Sequence, residues 1–342
     1  MQGDGVSKRF RLLVLACVLL VLIGVPAASL WWMTAVPGRS FDGPLPRLSA
    51  PQTDLAARLQ AHVRAIASVP HNVNHPQALE ASASHIETGL QGLGYAVQRQ
   101  PFAVGGLEVR NIEAVLDPAR PATETLVVGA HYDSWGESPG ANDNGSGTAA
   151  VLELARLLVD LRGRSALRIR FVLFVNEEPP YFRTREMGSL VYARRLVASG
   201  ERIRGMLSLE TMGFFSDRDG SQHYPSPFNL FYPRRGNFIA FVGPLSARGL
   251  VRESVGTFRA VAEFPSVGGT APGAIQGINW SDHWAFMQVG VPALMVTDTA
   301  PFRYPHYHSA EDRPDKIDYD RLARVVTGLE RMLRRWASPP AG

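Results

Sequence analysis

Residues 129–147 read GAHYDSWGESPGANDNGSG and separate an apolar run from a segment with helical periodicity. The stretch therefore lies where the chain reverses direction between a strand and a helix. One histidine and two aspartates, His131, Asp133 and Asp143, stand among its glycines. Glycine and aspartate cost stability unless a turn or a ligand uses them, so this stretch indicates either a surface turn or a binding loop. By itself it leaves both interpretations open.

The composition is that of a globular protein and carries no signature of nucleic-acid binding. The chain has 342 residues, 45% of them hydrophobic, and a formal net charge of +4. This length accommodates one large α/β domain. No basic run interleaved with aromatic residues is present, so we expect no nucleic-acid partner. Cys17 is the only cysteine and lies in an apolar run, which excludes a disulfide framework and a thiolate metal site within one chain.

The N-terminus has the pattern of a membrane anchor. Residues 12–32 form an apolar stretch of about the ~20 residues that a membrane-spanning helix needs. Lys8, Arg9 and Arg11 precede the stretch, which predicts that residues 1–11 are cytoplasmic. Trp31 and Trp32 are typical of an interfacial aromatic belt. These features favour a single-pass protein of the cell membrane with the bulk of the chain on the extracytoplasmic side.

The alternative is a signal peptide cleaved near the small residues 25–28, which would leave a secreted or periplasmic protein. Residues 33–51 are rich in Pro, Gly and Ser and are predicted to be a linker, and residues 52–338 form the globular domain.

The domain alternates between strand and helix patterns. Helical periodicity covers residues 53–67, 78–93, 148–161, 189–198 and 319–336, and strands are predicted at 95–102, 109–116, 126–129, 167–175, 205–209 and 292–296. This order predicts an α/β fold, with a mixed, mostly parallel central sheet and helices on both faces in a three-layer sandwich. The segment 214–243, dense in aromatic residues and proline, is predicted to be an irregular insertion.

Acidic residues or histidine follow directly after successive predicted strands. His131 follows the strand at 126–129, Glu177 and Glu178 follow the strand at 167–175, and Glu210 follows the strand at 205–209. The carboxyl ends of parallel strands form the ligand crevice of an open sheet, so these side chains can converge. The segments 281–283 (SDH) and 306–308 (HYH) flank the last strand and can reach the same crevice.

Two adjacent glutamates after a buried strand repel each other unless a cation or a raised pKa stabilises them. Imidazole and carboxylate ligands without sulfur suit zinc, and manganese or cobalt less well. The chain supplies enough ligands for two ions that share a carboxylate: His131, Asp143, Glu178, Glu210 and His308. Glu177 then remains as a general base. Asp133, two residues beyond His131, is predicted to orient its imidazole.

From about Ala56 to Trp336 the chain resembles the M28 family of zinc peptidases, which includes co-catalytic di-zinc aminopeptidases. The resemblance is carried by GAHYDS, GANDNGSG, NEE, the Met-Gly-Ser turn at 187–189, SLETMG, SDH and HYHSAED. It implies a zinc exopeptidase-like fold in which His131 binds one zinc ion and Asp143 bridges both. Glu178 and His308 match ligands of the other zinc ion. Glu177 matches the general base, and Asp133 the orienting carboxylate.

Glu210 departs from the family pattern, because many relatives have Asp there. Its carboxylate is still expected to bind the first zinc ion, with metal spacing and occupancy left open. His306 is the rival of His308, and the Tyr-His-Ser context favours His308. The predicted substrate-binding residues are Asp282, His283, Phe214 and Tyr307. Five aromatic residues either line an apolar pocket or only pack the insertion: Phe214, Phe215, Phe228, Phe231 and Tyr232.

The expectation is an extracytoplasmic zinc exopeptidase with two Zn²⁺ ions, most simply an aminopeptidase that acts on peptides. Two alternatives stay open. One is a single-zinc acyltransferase of the glutaminyl cyclase type, and the other is a catalytically silent ectodomain. The membrane is the other expected partner, and the sequence leaves the oligomeric state open.

Overall fold

The computed structural model describes residues 3–118, 120–121 and 124–338, and residues 3–7 by their backbone only. Residues 1 and 2 of the predicted cytoplasmic segment lie outside this description. A long N-terminal helix comes first: α1 (Gly3–Leu19) passes through a π-helical turn, Leu20–Gly24, into α2 (Val25–Thr34). Its portion from Lys8 to Thr34, 27 residues, is long and apolar enough to span a membrane, and none of its most apolar window is buried.

Two helices and a hairpin lead into the sheet, as the sequence predicts. Helix α3 (Ala50–Ile66) begins with a capping box formed by Ser49 and Gln52, and it is followed by α4 (Pro76–Gly92). Strands β1 (Gln98–Val104) and β2 (Leu107–Leu116) pair antiparallel. Their turn consists of two glycines with positive φ, Gly105 and Gly106.

The described residues form one sheet of eight strands in the order β1-β2-β4-β3-β5-β8-β6-β7. The later strands are β3 (Thr125–His131), β4 (Arg168–Phe174), β5 (Ile203–Glu210), β6 (Ile239–Pro244), β7 (Ser266–Ala271) and β8 (Ala293–Thr297). Neighbours among β4, β3, β5 and β8 are parallel, and so are β6 and β7. The pairs β1–β2, β2–β4 and β6–β8 are antiparallel. The predicted mixed, mostly parallel sheet is confirmed.

Helices cover both faces of the sheet. The remaining helices are α5 (Gly147–Leu157), α6 (Gly188–Ala198), α7 (Arg248–Val261), α8 (His283–Gln288) and α9 (Tyr319–Ala337). Alternate residues of β3 point to opposite faces: Leu126 and Val128 belong to the core under α3, α5 and α9, and Val127 to the core under α6 and α8. The three-layer arrangement follows from this alternation.

The prediction of an irregular insertion at 214–243 is wrong at its end, because Ile239–Pro244 is strand β6. Helix α7 and strand β7 after it were not predicted either. Strand β7 reads SVGGTA, and its two glycines supply no side chains from which a strand period could be recognised. Its pairing with β6, buried at nearly every position, fixes its conformation. Before β6, the segment is irregular apart from a 3-10 turn at Phe228–Leu230.

The free edge of the sheet at β7 is covered by the chain that follows the N-terminal helix. The hydroxyl of Ser40 accepts a hydrogen bond from the backbone N–H of Ser266, at 2.8 Å. Arg259 on α7 donates to the carbonyl oxygens of Pro37 and Gly38, at 3.2 and 2.9 Å. An exposed strand edge pairs readily with other chains, and this segment blocks that pairing.

Candidate metal centre

The loop between β3 and α5 depends on close backbone approaches that only glycine permits. Gly140 has φ +67°, and a Cβ atom there would lie 2.6 Å from the carbonyl oxygen of Asp143. A Cβ atom on Gly147 would clash with the carbonyl oxygen of Leu209. The carboxylate of Asp312 accepts hydrogen bonds from the backbone N–H groups of Asn142 and Asp143, at 2.8 and 3.1 Å. The loop is thereby held with Asp143 pointing into the crevice.

The carboxylate of Asp143 stands between two histidines. Its Oδ1 lies 3.3 Å from Nε2 of His131, and its Oδ2 lies 3.0 Å from Nε2 of His308. Each histidine has a second carboxylate beside it: Glu210 Oε2 is 3.3 Å from His131 Nε2, and Glu178 Oε2 is 3.3 Å from His308 Nε2. The result is two groups of three possible ligands that share Asp143.

The spacing and the unsatisfied atoms of these groups both suit metal ions. Ligands at 2.0–2.1 Å from a tetrahedral zinc ion lie about 3.3 Å from one another, which is the separation found here. Four buried atoms have no hydrogen-bond partner among the residues that the structure describes: Nε2 of His131, Oδ2 of Asp143, Oε1 of Glu178 and Nε2 of His308. Unpartnered buried polar atoms are costly, and bound cations would satisfy all four.

The electrostatics of the cluster also call for cations. Burial raises the pKa of Glu178 to about 7 and that of Glu210 to about 8, and it raises the pKa of Glu177 well above its usual value. Burial lowers the pKa of His308, but the adjacent carboxylates of Asp143 and Glu178 outweigh burial and raise this pKa to about 10. Within the described chain, no lysine or arginine forms an ion pair with these carboxylates.

Asp133 fixes the backbone that presents the two glutamates. Its Oδ1 accepts a hydrogen bond from the N–H of Glu177 at 3.1 Å, and its Oδ2 accepts one from the N–H of Glu178 at 3.3 Å. Nδ1 of His131 lies 3.0 Å from the backbone oxygen of Asp133 and 3.6 Å from its Oδ1. The imidazole is therefore oriented by the main chain of Asp133, while the side chain positions Glu177, whose Oε2 is 3.8 Å from His131 Nε2.

Glu210 is held by a serine that the sequence reasoning did not single out. The hydroxyl of Ser281 donates to Glu210 Oε2 at 2.6 Å and lies 2.7 Å from the hydroxyl of Ser208. Asn144 donates to the same carboxylate oxygen at 3.4 Å. Ser281 belongs to the SDH motif at 281–283. Its hydrogen bonds to Glu210 and Ser208 of β5 show that it supports the site, and the sequence carries no signal of them.

Asp282 and His283 are fully buried and lie outside the apolar pocket described below. Nε2 of His283 is 2.7 Å from the carbonyl oxygen of Ile278, so this residue braces the loop before α8. Burial raises the pKa of Asp282 to about 7. His306 is not part of either ligand group and packs against Tyr304 with ring centroids 5.4 Å apart. His308 is instead stacked between Trp135 and Tyr307.

An apolar pocket of about 110 Å³ opens beside Glu210. Its aromatic wall consists of Tyr224, Phe228, Tyr232, Trp280, Phe302 and Tyr307. Phe214 and Phe215 are not among its lining residues: they pack against Tyr304 and Phe264, with centroids 4.9 and 5.3 Å apart. Phe231 is 52% exposed and also lies outside the pocket. The structure thus brings Phe228, Tyr232 and Tyr307 to the site.

Comparison with known sequences gives a consistent picture. The model of "Peptidase family M28" matches residues 111–332. The uncharacterized protein YfbL of Escherichia coli (strain K12) is 35% identical over 314 residues, which cover 88% of this chain and 91% of that protein. A probable leucine aminopeptidase of Arthroderma otae is 28% identical over 226 residues, covering 61% of this chain and 54% of the relative. The chain thus spans about half the length of that aminopeptidase.

Solved structures share the fold. The aminopeptidase from Aneurinibacillus sp. strain AM-1 superposes with a TM-score of 0.63 at 17% identity, covering 83% of this chain and 94% of that one. The glutaminyl cyclase of Fimbriiglobus ruber gives a TM-score of 0.60 at 22% identity, covering 88% of this chain and 99% of that one. At these identities the likeness concerns the fold alone. Aminopeptidases and cyclases both have this fold, so it does not choose between the two activities.

Proposed function

The chain belongs to peptidase family M28, and on that basis we propose that it is a zinc-dependent aminopeptidase that removes N-terminal residues from peptides. The observation that carries the proposal is the position of Asp143. Its two oxygens face two separate histidines at 3.3 and 3.0 Å, and each histidine has its own glutamate. A carboxylate in this position can bridge two ions.

One ion would be held by His131, Asp143 and Glu210, and a second by Asp143, Glu178 and His308. Two bound zinc ions would polarise the scissile carbonyl group and lower the pKa of the attacking water. Manganese or cobalt would fit the same nitrogen and oxygen ligands. The roles of these side chains remain part of the proposal.

Glu177 is the side chain left to move the proton. It is buried, and its Oε2 lies 3.8 Å from Nε2 of His131. The hydrogen bond from its N–H to Asp133 fixes its backbone. In the proposed reaction its carboxylate accepts a proton from the attacking water and then delivers it to the leaving amine. Burial raises the pKa of Glu177, which makes its carboxylate a stronger proton acceptor.

The surroundings of the cluster favour a substrate with a free, positively charged α-amine. The buried carboxylates of the cluster lack lysine or arginine partners in the described chain, so an ammonium group would be attracted to them. The apolar pocket starts at Glu210 and would accept the first side chain of the peptide. Phe228, Tyr232 and Tyr307 would then contact an apolar N-terminal residue.

A single-metal glutaminyl cyclase is the second candidate, and one observation favours it. Burial raises the pKa of Glu210 to about 8, although the hydrogen bond that Ser281 donates at 2.6 Å favours the ionised carboxylate. A Glu210 that remained protonated would be a poor ligand, and only Asp143, Glu178 and His308 would then hold an ion. The fold shared with the Fimbriiglobus ruber cyclase is compatible with this arrangement.

Metal content combined with a peptide panel tests the proposal. The purified full-length protein is expected to hold about two zinc ions per chain and to hydrolyse peptides with a free N-terminal leucine or phenylalanine. The matched N-acetylated peptides should be refused. One zinc ion per chain with cyclisation of N-terminal glutamine would establish the cyclase instead. Protein without zinc and without turnover would support the silent ectodomain.

A further inference from the structure

Large exposed apolar side chains occur on the last turns of the N-terminal helix and on two short segments of the domain. Leu230 is 75% exposed and Phe231 is 52% exposed, both at the 3-10 turn before Tyr232. On the helix itself Trp31 is 69% exposed, and Leu245, at the end of β6, is 38% exposed. Single exposed apolar residues are ordinary, but a cluster of large ones indicates an interaction surface. We call Trp31, Leu230, Phe231 and Leu245 the apolar rim.

Residues that neighbour the rim in sequence contact strand β7. The hydroxyl of Tyr232 donates to the carbonyl oxygen of Gly268 at 3.0 Å, and the hydroxyl of Thr270 donates to the carbonyl oxygen of Met33 at 3.4 Å. A Cβ atom on Gly269 would clash with the Tyr232 hydroxyl and lie 3.4 Å from the Met33 oxygen. The side chain of Tyr232, two residues beyond Leu230, and the last turn of α2 therefore contact the same part of β7.

Arginines of α7 fix the end of the helix to the domain. The guanidinium of Arg248 lies 4.2 Å from the centroid of the Trp32 ring and donates to the Trp32 carbonyl oxygen at 3.1 Å. Arg252 donates to the carbonyl oxygen of Ala35. These contacts hold the last turn of the N-terminal helix and the residue after it against α7. The same arginines place positive charge beside the apolar rim, which complements anionic lipid headgroups.

The apolar pocket beside Glu210 lies directly behind this surface. Phe228 and Tyr232 line the pocket, whereas Leu230, between them in sequence, faces solvent. Residues 267–271 of β7 also line the pocket, and they include Gly269 and Thr270, which contact Met33. One turn and one strand thus separate the pocket from the rim.

We propose that the apolar rim docks into the headgroup region of the bilayer from which α2 emerges, and that the site therefore acts on peptides held at the membrane surface. The occupant of the rim is lipid, because the rim is continuous with a helix long and apolar enough to span a membrane. The docking goes beyond the proposed function and requires only that the helix is retained. The preference for membrane-held peptides rests on the proposed aminopeptidase activity.

Depth-dependent quenching measures the docking without reference to activity. The full chain, with Cys17→Ser and Leu230→Cys, is labelled with an NBD fluorophore and placed in phosphatidylcholine–phosphatidylglycerol vesicles that contain nitroxide-labelled lipid. Val197→Cys is the matched control, because Val197 is 40% exposed on α6, away from β7. The label at 230 should be quenched and its emission shifted to the blue, and the label at 197 should not.

Equal quenching at the two positions would overturn the docking. A blue shift at 230 that occurs in detergent, without nitroxide lipid, and grows with protein concentration would assign the rim to a second copy of the chain and would equally overturn it.

A substrate comparison tests the consequence for activity. Leu230→Asp should lower kcat/KM about tenfold for a vesicle-bound peptide with a C-terminal acyl chain, since burial of a leucine in lipid is lost. Turnover of a soluble dipeptide should be unchanged, and Val197→Asp should alter neither. Equal rates of Leu230→Asp and wild type on the vesicle-bound peptide would refute the preference. If wild type hydrolysed neither peptide, the proposed function would fail while the quenching result would stand.

Discussion

Two groups of carboxylates at the same sheet have different kinds of charged partner. Near the middle of the strands, Arg170 on β4 forms ion pairs with both Glu113 and Glu201. Tyr192 adds a hydrogen bond to Glu113 at 2.7 Å. At the carboxyl ends of the strands, the carboxylates of Asp143, Glu177, Glu178 and Glu210 have histidines as their only basic partners among the described residues. The first group can be called the arginine cluster and the second the ligand cluster.

The difference shows which buried charges the chain neutralises by itself. A buried carboxylate needs a partner, because its desolvation costs several kcal/mol. In the arginine cluster the partner is a guanidinium fixed by packing, so those glutamates are structural. In the ligand cluster the described residues supply histidines but no lysine or arginine, so we expect a bound metal ion to be the partner of these carboxylates. Perturbed carboxylates of this second kind are typical of functional sites.

The largest expected effect separates the two clusters by activity. Glu177→Gln should lower kcat about 10²- to 10⁴-fold while zinc content is unchanged, because the proton acceptor is lost and no proposed ligand is removed. Steady-state hydrolysis of a leucyl peptide and metal analysis of the same sample measure this. Glu113→Gln is the matched control from the arginine cluster and should leave kcat of the folded protein near wild type. Near-normal turnover of Glu177→Gln would contradict the assigned role.

Removing Arg170 should destabilise the fold at the arginine cluster. Arg170→Leu leaves the buried Glu113 without a cation and removes one of the two arginine partners of the half-buried Glu201, so the free energy of unfolding should fall by about 3–5 kcal/mol. Urea unfolding followed by circular dichroism measures the loss. Zinc content per folded molecule should not change, because the ligand cluster is untouched. Arg194→Leu, an exposed site on α6 without an ion pair in the described chain, should change stability little. A similar loss in both variants would mean that the ion pairs are not responsible.

Removing metal should give the two clusters opposite pH dependences. The pKa values of Glu178 and Glu210 are raised by burial from 4.5 to about 7 and about 8. A raised folded-state pKa gives stability that is present below pH 4.5 and is lost as the pH rises through 7 to 8. Burial raises the pKa of Glu201, but hydrogen bonds from Arg170 and Thr125 outweigh burial and lower it. The contribution of Glu201 to stability is therefore present above pH 4.5 and lost in acid.

Chelated protein should therefore become less stable between pH 5 and pH 8, on the order of a few kcal/mol. Zinc added at pH 8 should restore the lost stability. Thermal unfolding at several pH values, with chelator and with zinc, checks the expectation. A metal-free protein that is equally stable at pH 5 and pH 8 would show that the ligand cluster needs no cation.

The smallest expected effect concerns the support of Glu210. Ser281→Ala removes the hydrogen bond to Oε2 of Glu210. The affinity for one of the two zinc ions should fall about tenfold, because the carboxylate loses its orientation. Competition with a chelator of known affinity measures this. Ser254→Ala, a buried serine whose hydroxyl bonds within α7, is the matched control. If neither ion were weakened, Glu210 would not be a ligand and the single-metal alternative would gain support.

Much of the fold could be predicted because its elements bury regular apolar patterns. The predicted helix at 53–67 is found at Ala50–Ile66, and the predicted strand at 167–175 is found at Arg168–Phe174. Strand β7 could not be predicted, because SVGGTA has neither a period nor bulky side chains. Its conformation comes from pairing with β6 and from the covering chain at Ser40.

The candidate site could be predicted in its members but not in its supports. His131, Glu178 and Glu210 stand at strand ends, where the topology of parallel strands brings side chains together whatever the local details. The hydrogen bonds of Asp133 to two backbone N–H groups and of Ser281 to Glu210 join segments far apart in the chain. No sequence period reports such contacts.

The sequence by itself determined the kind of chemistry and the order of the elements, because ligand types and strand–helix alternation are local properties of the chain. Only the tertiary structure decided that Asp143 stands between His131 and His308, at 3.3 and 3.0 Å. Only the tertiary structure brought Tyr232, two residues beyond Leu230, and Met33, near the end of the helix, to the same strand. These distances depend on how separate strands and loops pack, and packing between distant segments leaves no periodic trace in the sequence.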